Sequence, residues 1–222
     1  MDMHKLYGCL LAFSLFFMIF GLGMLVPASH ETMQSIGECP RVALTFDDGP
    51  HSVYTPQLLD GLKERDVKAS FFLIGKLVEE NPEIVKRMYE EGHLIGNHTY
   101  DHVQLDLLSD QEACIQVTKA GNAIYEATGV YTAYLRPPFG RWKKDLDCIV
   151  TMLPVLWNVD SLDWTTSDVD CVVNRVVKNV EDGDIILMHD EYASSLEAAF
   201  KIIDILQEQG YEFVTVDQFL WE

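Results

Sequence analysis

The chain has 222 residues, 48% of them hydrophobic and 11% aromatic. That is enough apolar side chain to fill one sizeable core, which excludes a disordered chain and favours a single domain. Lysine and arginine number 16 against 35 acidic residues, a net charge of −19, which excludes a nucleic-acid binder and argues against tight adhesion to polyanions.

In chain order, the first thirty residues carry only Asp2 and Lys5 as charges. Residues 6–26 are almost wholly apolar. That run matches the roughly 20 residues needed to cross a bilayer and exceeds the roughly 7–15 of a secretory signal. The expectation is an N-terminal transmembrane helix within residues 1–28, left uncleaved as a signal anchor. A signal peptide cleaved after Ala28 is the alternative. Lys5 before the span favours an inside N-terminus, with residues 29–40 as a spacer and residues 41–222 exported. Cys9 lies in the apolar run. Cys39, Cys114, Cys148 and Cys171 allow three full disulfide pairings in an exported body, and free buried thiols are an equal expectation.

From Arg41 the pattern alternates. Residues 41–46 read as a strand, 55–65 as a helix with Leu58, Leu59 and Leu62 on one face, and 68–74 as a strand. Residues 82–91 read as a helix with proline in its first turn, and 93–96 as a short strand. Residues 109–128 form a long helix opened by Ser109, with Glu112 three residues on, a capping box. Residues 134–137 are extended and 153–160 form a strand. The order then runs helix 169–180, strand 184–189, helix 194–209 stopped by Gly210, and strand 212–216. Repeated strand–helix order predicts an α/β fold with parallel strands. Asp47, Asp48, His98, Arg136, Asp160 and His189 fall where strands end, where a (β/α) barrel keeps its site.

Two adjacent carboxylates, Asp47 and Asp48, precede Gly49-Pro50. In a continuing strand they would point to opposite faces, and the Gly-Pro turn can bring both to one rim. His98 and His102 supply two imidazoles. With one carboxylate they make a metal site that keeps open positions, as catalytic zinc does. Arg136, in ArgProProPheGly, can clamp a carboxylate. Asp160-Ser-Leu-Asp163-Trp164 offers two acids and an aromatic wall. Leu187-Met-His189-Asp190 ends an apolar strand with a histidine. His51 and His93 are read as structural.

Taken together, the blocks TFDDGP, H-x-x-x-H, RPPFG, DSLDW and LMHD resemble the polysaccharide deacetylase family, also called the NodB-homology domain or carbohydrate esterase family 4. The resemblance spans roughly residues 41–216, within a catalytic domain at 41–222. It implies a distorted (β/α) barrel, usually of seven parallel strands. It implies that Asp48, His98 and His102 bind a divalent metal, commonly zinc, although cobalt, manganese or nickel also suits that set. Asp47 would be the general base, held by Arg136. His189 would be the general acid, oriented by Asp163. Trp164 and Leu187 would wall the acetyl pocket, and the Phe139 main-chain N–H would face the oxyanion. Phe139 departs from many relatives, which have tyrosine there.

The implied activity is metal-dependent removal of N-acetyl groups from N-acetylglucosamine in a cell-wall polysaccharide, with peptidoglycan the leading substrate. Chitin-oligosaccharide deacetylation, acetylxylan O-deacetylation and a non-catalytic glycan-binding module stay open. The expected partners are a polysaccharide and, through the N-terminal helix, a membrane, with a monomer expected.

Overall fold

The computed structural model describes residues 39–143, 146, 148 and 152–220. The expected N-terminal helix lies outside these residues, as does most of the spacer. Among the described residues no helix is long and apolar enough to cross a membrane.

Strand β1 (Arg41–Asp47) is the axis of the sheet. Its residues alternate between two faces, as pleating requires. Val42, Leu44 and Phe46 enter the main core under the helices. Ala43 joins a smaller inner cluster with Phe72, leaving Thr45 and Asp47 for polar work on that inner face. Strand β2 (Ser70–Leu73) follows helix α1 (Tyr54–Glu64), and β3 (Leu94–Asn97) follows α2 (Gly75–Glu80) and α3 (Pro82–Glu90). Helix α4 (Asp110–Thr128) leads to β4 (Tyr134–Leu135), β5 (Leu153–Pro154) and β6 (Val159–Asp160). Helix α5 (Val169–Val177), β7 (Ile185–His189), α6 (Ala193–Glu208), β8 (Glu212–Phe213) and α7 (Asp217–Leu220) complete the order.

Every strand pairing among the described residues is parallel. Seven strands run in the order β5-β4-β3-β2-β1-β7-β6, a curled half-barrel in which no ladder joins β5 to β6 among the described residues, and β8 pairs with the start of β1. This matches the distorted barrel expected. The β1–β7 register sets Asp47 beside His189, so two polar side chains share one face at the strand ends.

Two expectations are corrected. The strand expected over 153–160 is two short pieces, because the chain changes neighbours between them: the Val155 N–H donates to the Leu135 carbonyl and the Asn158 N–H to the Ile185 carbonyl, while the Arg136 guanidinium takes the Val155 and Leu156 carbonyls. Helix α2 is an element with no expected counterpart. Gly75 opens it with room for no side chain, since an added Cβ would lie 2.6 Å from the Ala120 backbone.

Helix α4 bears out its capping box: Ser109 Oγ accepts the Glu112 N–H at 3.3 Å while Glu112 Oε2 accepts the Ser109 N–H at 3.0 Å. Ser109→Ala should lower unfolding free energy by about 1 kcal/mol, read from the denaturant midpoint. No loss would mean that tertiary packing alone fixes this end. Cys114 of the same helix is bridged to Cys148, while Cys39 and Cys171 are free and exposed.

Candidate active site

Asp48 takes a left-handed φ of 70°, a conformation that aspartate tolerates better than most residues. The strand therefore breaks immediately after Asp47, and both carboxylates reach one rim. Gly49 is needed next: a Cβ there would meet the Asp190 carboxylate at 2.6 Å. Asp190 is fully buried and accepts a short hydrogen bond from the Thr55 hydroxyl. Burial, with the charges of Glu191 and Asp48, pushes its carboxyl up to about 7, against the Thr55 bond.

His98 and His102 lie in the loop after β3. Thr99 and His102 both have positive φ, at 64° and 54°, which curls the segment until the two rings are 5.0 Å apart. Buried Asn97 holds the curl, accepting the Thr99 N–H at 2.9 Å and donating to the Val117 carbonyl at 2.9 Å. His98 Nδ1 donates to the Arg136 carbonyl at 2.7 Å. That leaves the Nε2 lone pair turned toward Asp48, the outer support that metal-binding imidazoles usually have.

Asp48 Oδ1 lies 3.3 Å from His98 Nε2 and 3.2 Å from His102 Nε2. The three ligand atoms lie within 4.8 Å of one another. Asp48 Oδ1 is buried and makes no well-formed hydrogen bond, a costly state for a carboxylate oxygen unless a cation meets it. Burial raises the Asp48 carboxyl, but the surrounding imidazoles more than reverse this and hold it below its ordinary value. Burial also holds His102 below the usual imidazole range, in the neutral form that ligates. One carboxylate and two imidazoles fit a divalent transition metal with positions left open.

Arg136 is completely buried. Its Nη1 donates to Asp47 Oδ1 at 2.8 Å and to Thr45 Oγ1 at 2.7 Å. Nε and Nη2 donate to the Val155 and Leu156 carbonyls at 3.2 and 3.1 Å. The guanidinium also lies 4.1 Å from the Phe72 ring centre.

His189 Nδ1 donates to Asp163 Oδ1 at 2.8 Å, and the His189 N–H donates to Asp163 Oδ2 at 2.9 Å. Burial alone would lower the His189 pKa. The Asp163 bond and the charges of Asp163, Asp47 and Asp48 override it and raise the value to about 9. Asp163 is shifted down: burial raises it, and His189 more than compensates. The remaining ring nitrogen, His189 Nε2, sits 3.9 Å from Asp48 Oδ2.

Asp47, Asp48, His98, His102 and His189 line a cavity of about 360 Å³ at the C-terminal strand ends. Leu187 and Trp164 form part of its wall, as does Phe139. Phe139 has φ 61° and is 63% exposed, its ring 4.8 Å from that of His102. Of the residues expected from the sequence, Asp47, Asp48, His98, His102, Phe139, Trp164, Leu187 and His189 line this cavity, while Arg136 and Asp163 stand behind it, bonded to Asp47 and His189. Trp157, Glu191 and Tyr192 also line it and were not expected. Glu191 and Tyr192 directly follow LMHD, and that adjacency was the available signal. His51 and His93 are structural, accepting main-chain N–H groups at the start of α1 and at Ala69.

Known proteins carry the same arrangement of sequence and fold. The polysaccharide deacetylase family model matches residues 35–155. The peptidoglycan-N-acetylglucosamine deacetylase PgdA of Listeria monocytogenes is 41% identical over 182 residues, 82% of this chain and 39% of that protein. The peptidoglycan-N-acetylmuramic acid deacetylase PdaC of Bacillus subtilis is 41% identical over 177 residues, 80% of this chain and 38% of that protein. The chain thus spans about two fifths of the length of these curated relatives. The solved structure of peptidoglycan deacetylase PdaC from Bacillus subtilis superposes with a TM-score of 0.79 at 39% identity, covering 82% of this chain and 91% of that one. With the family model matching more than half the sequence and its motif residues gathered at one cavity, the chain belongs to the polysaccharide deacetylase family.

Proposed function

We propose that the chain hydrolyses the N-acetyl amide of N-acetylglucosamine units in a cell-wall glycan, peptidoglycan first, releasing acetate. One observation carries this reading. A carboxylate and an imidazolium flank the Asp48, His98 and His102 set, and each is fixed by its own buried counter-charge, Arg136 for Asp47 and Asp163 for His189.

Asp48, His98 and His102 would hold the divalent metal, with zinc the first choice for that donor set. When bound it supplies Lewis acidity, which polarises the amide carbonyl and makes water a better nucleophile. The chain's residues do the rest. Asp47 takes the proton of the attacking water, and Arg136 keeps its free oxygen aimed. The Phe139 N–H donates to the developing oxyanion. His189 Nε2–H then protonates the departing nitrogen. An amide nitrogen leaves only once protonated, so an imidazole kept charged up to about 9 suits an amide better than an ester. Trp164 and Leu187 wall the acetyl methyl. Opposite proton tasks are thereby assigned by environment, as in other acid–base pairs.

The apolar run 6–26 is proposed as an anchor that places the catalytic body outside the membrane. The Cys114–Cys148 bridge supports an oxidising compartment.

The test is acetate release by the full chain from N-acetylglucosamine oligomers and solubilised wall glycan. A chelator should abolish release and added zinc should restore it. Acetate release that survives exhaustive chelation would overturn the metal-dependent reading, and no acetate from either glycan would overturn the substrate.

A further inference from the structure

The two curated relatives are equally similar to this chain, at 41% identity, yet their names assign them different sugars, N-acetylglucosamine and N-acetylmuramic acid. Those sugars differ by one group. Muramic acid carries a lactyl ether, ending in a carboxyl, on the carbon next to the one bearing the acetamide. Similarity cannot choose between them, but the charge of the cavity can.

Beyond the groups used in hydrolysis, two more carboxylates line the cavity, Glu191 and Asp160. Asp160 Oδ1 accepts the Leu162 N–H at 2.9 Å. Glu191 is half-buried and forms no ion pair or side-chain hydrogen bond with any described residue. Among the described residues no lysine or arginine lines the cavity. The one guanidinium beneath it, that of Arg136, is spent on Asp47, Thr45 and two carbonyls. A divalent cation would offset Asp48 and one further negative charge, and the His189 imidazolium is already bound to Asp163 at 2.8 Å, so with Asp160 and Glu191 both ionised the lining stays net negative. An acetamide seated between Asp47 and His189 puts the neighbouring ring carbon inside the same small space, so a carboxylate on that carbon enters a field set by unpaired negative charge. Like charges brought together without a partner are a recognised means of rejecting a wrong ligand.

We propose that Glu191 is a specificity-determining residue that rejects sugars bearing a free carboxylate beside the reacting acetamide, so that on glycan free of peptide stems the chain acts on N-acetylglucosamine and spares the muramic neighbour. This rests on the hydrolase reading above and assigns the selectivity of that same cavity.

The experiment uses full-length chain and wall glycan stripped of its peptide stems, which frees the lactyl carboxylate. Deacetylated glucosamine and deacetylated muramic acid are quantified after digestion to disaccharides. Wild type should favour glucosamine at least tenfold. Glu191→Gln should raise the muramic-to-glucosamine product ratio about tenfold, and Glu191→Lys should raise it further. Equal products from wild type, a ratio that stays within twofold in both variants, or parallel loss of both products would overturn the assignment while leaving the hydrolase reading standing. A wild type that deacetylates neither sugar would end both.

Discussion

Asp47→Asn should cut the acetate-release rate by about 10²–10⁴-fold, the range lost when a general base is removed. Asparagine keeps the shape and one oxygen acceptor for Arg136 Nη1, which sits 2.8 Å from the carboxylate. The guanidinium therefore keeps a hydrogen-bond acceptor, although it loses its counter-charge. Some stability is lost as well, because a buried cation without its partner is costly, so the rates belong below the variant's own melting midpoint. Asp48, His98 and His102 are untouched, and metal content per chain should stay at the wild-type value. A variant that binds metal and hydrolyses within tenfold of wild type would remove Asp47 from the base role.

Asp163→Asn should move the alkaline limb of activity down by about two pH units. His189 donates a proton, so its active form is the cation, present below its pKa and lost as pH rises through it. In the native site that pKa is about 9 against an ordinary 6.5, and the carboxylate 2.8 Å away is its main upward cause. A bound dication lowers both enzymes' values, so the difference between the profiles is the readout. Stability should follow the same group. A raised imidazole pKa stabilises the fold fully below 6.5, and this is lost as pH rises through about 9. The depressed Asp163 carboxyl stabilises it above 3.8 and loses that as pH falls through its lowered folded value. The stability gap between wild type and variant should therefore be widest from 3.8 to 6.5 and narrow toward the alkaline side. Superimposable pH–rate profiles would show that Asp163 does not set the acid.

Much of this site was legible because its chemistry is held by side chains in short local blocks. Asp47-Asp48, His98 with His102, Arg136, Asp163 and His189 each sit within a few residues of a strand end, and parallel alternation brings such ends together. The Ser109–Glu112 cap and the Gly210 stop, with φ 88°, were legible for the same reason: their causes are local. Helix α2 was hidden because it is only six residues long and has no capping side chain. It is held by packing on α4, which no local pattern announces. The break between β5 and β6 was hidden because residues 153–157 are apolar without interruption, and the change of partner from β4 to β7 is set by distant strands. The Thr55–Asp190 contact spans 135 positions, beyond the reach of any motif. Glu191 went unread because one more acid in so acidic a chain carries no signal until the cavity shows that no described residue forms an ion pair with it.

The way Arg136 is held bears on how this family can vary. Two of its four acceptors are main-chain oxygens, at residues 155 and 156, and its own carbonyl receives the His98 imidazole. Those contacts are indifferent to which side chain stands at the position. Leu156 is largely exposed, so it is free to drift while still supplying the oxygen that steadies the base. Val155 is constrained by its packing and by nothing chemical. A substitution scan across this stretch would leave its part in catalysis unseen, because what the site borrows there is the path of the chain. Divergence can therefore rewrite the open side of the barrel, and with it the glycan the cavity meets, while the proton-handling pair stays where it is.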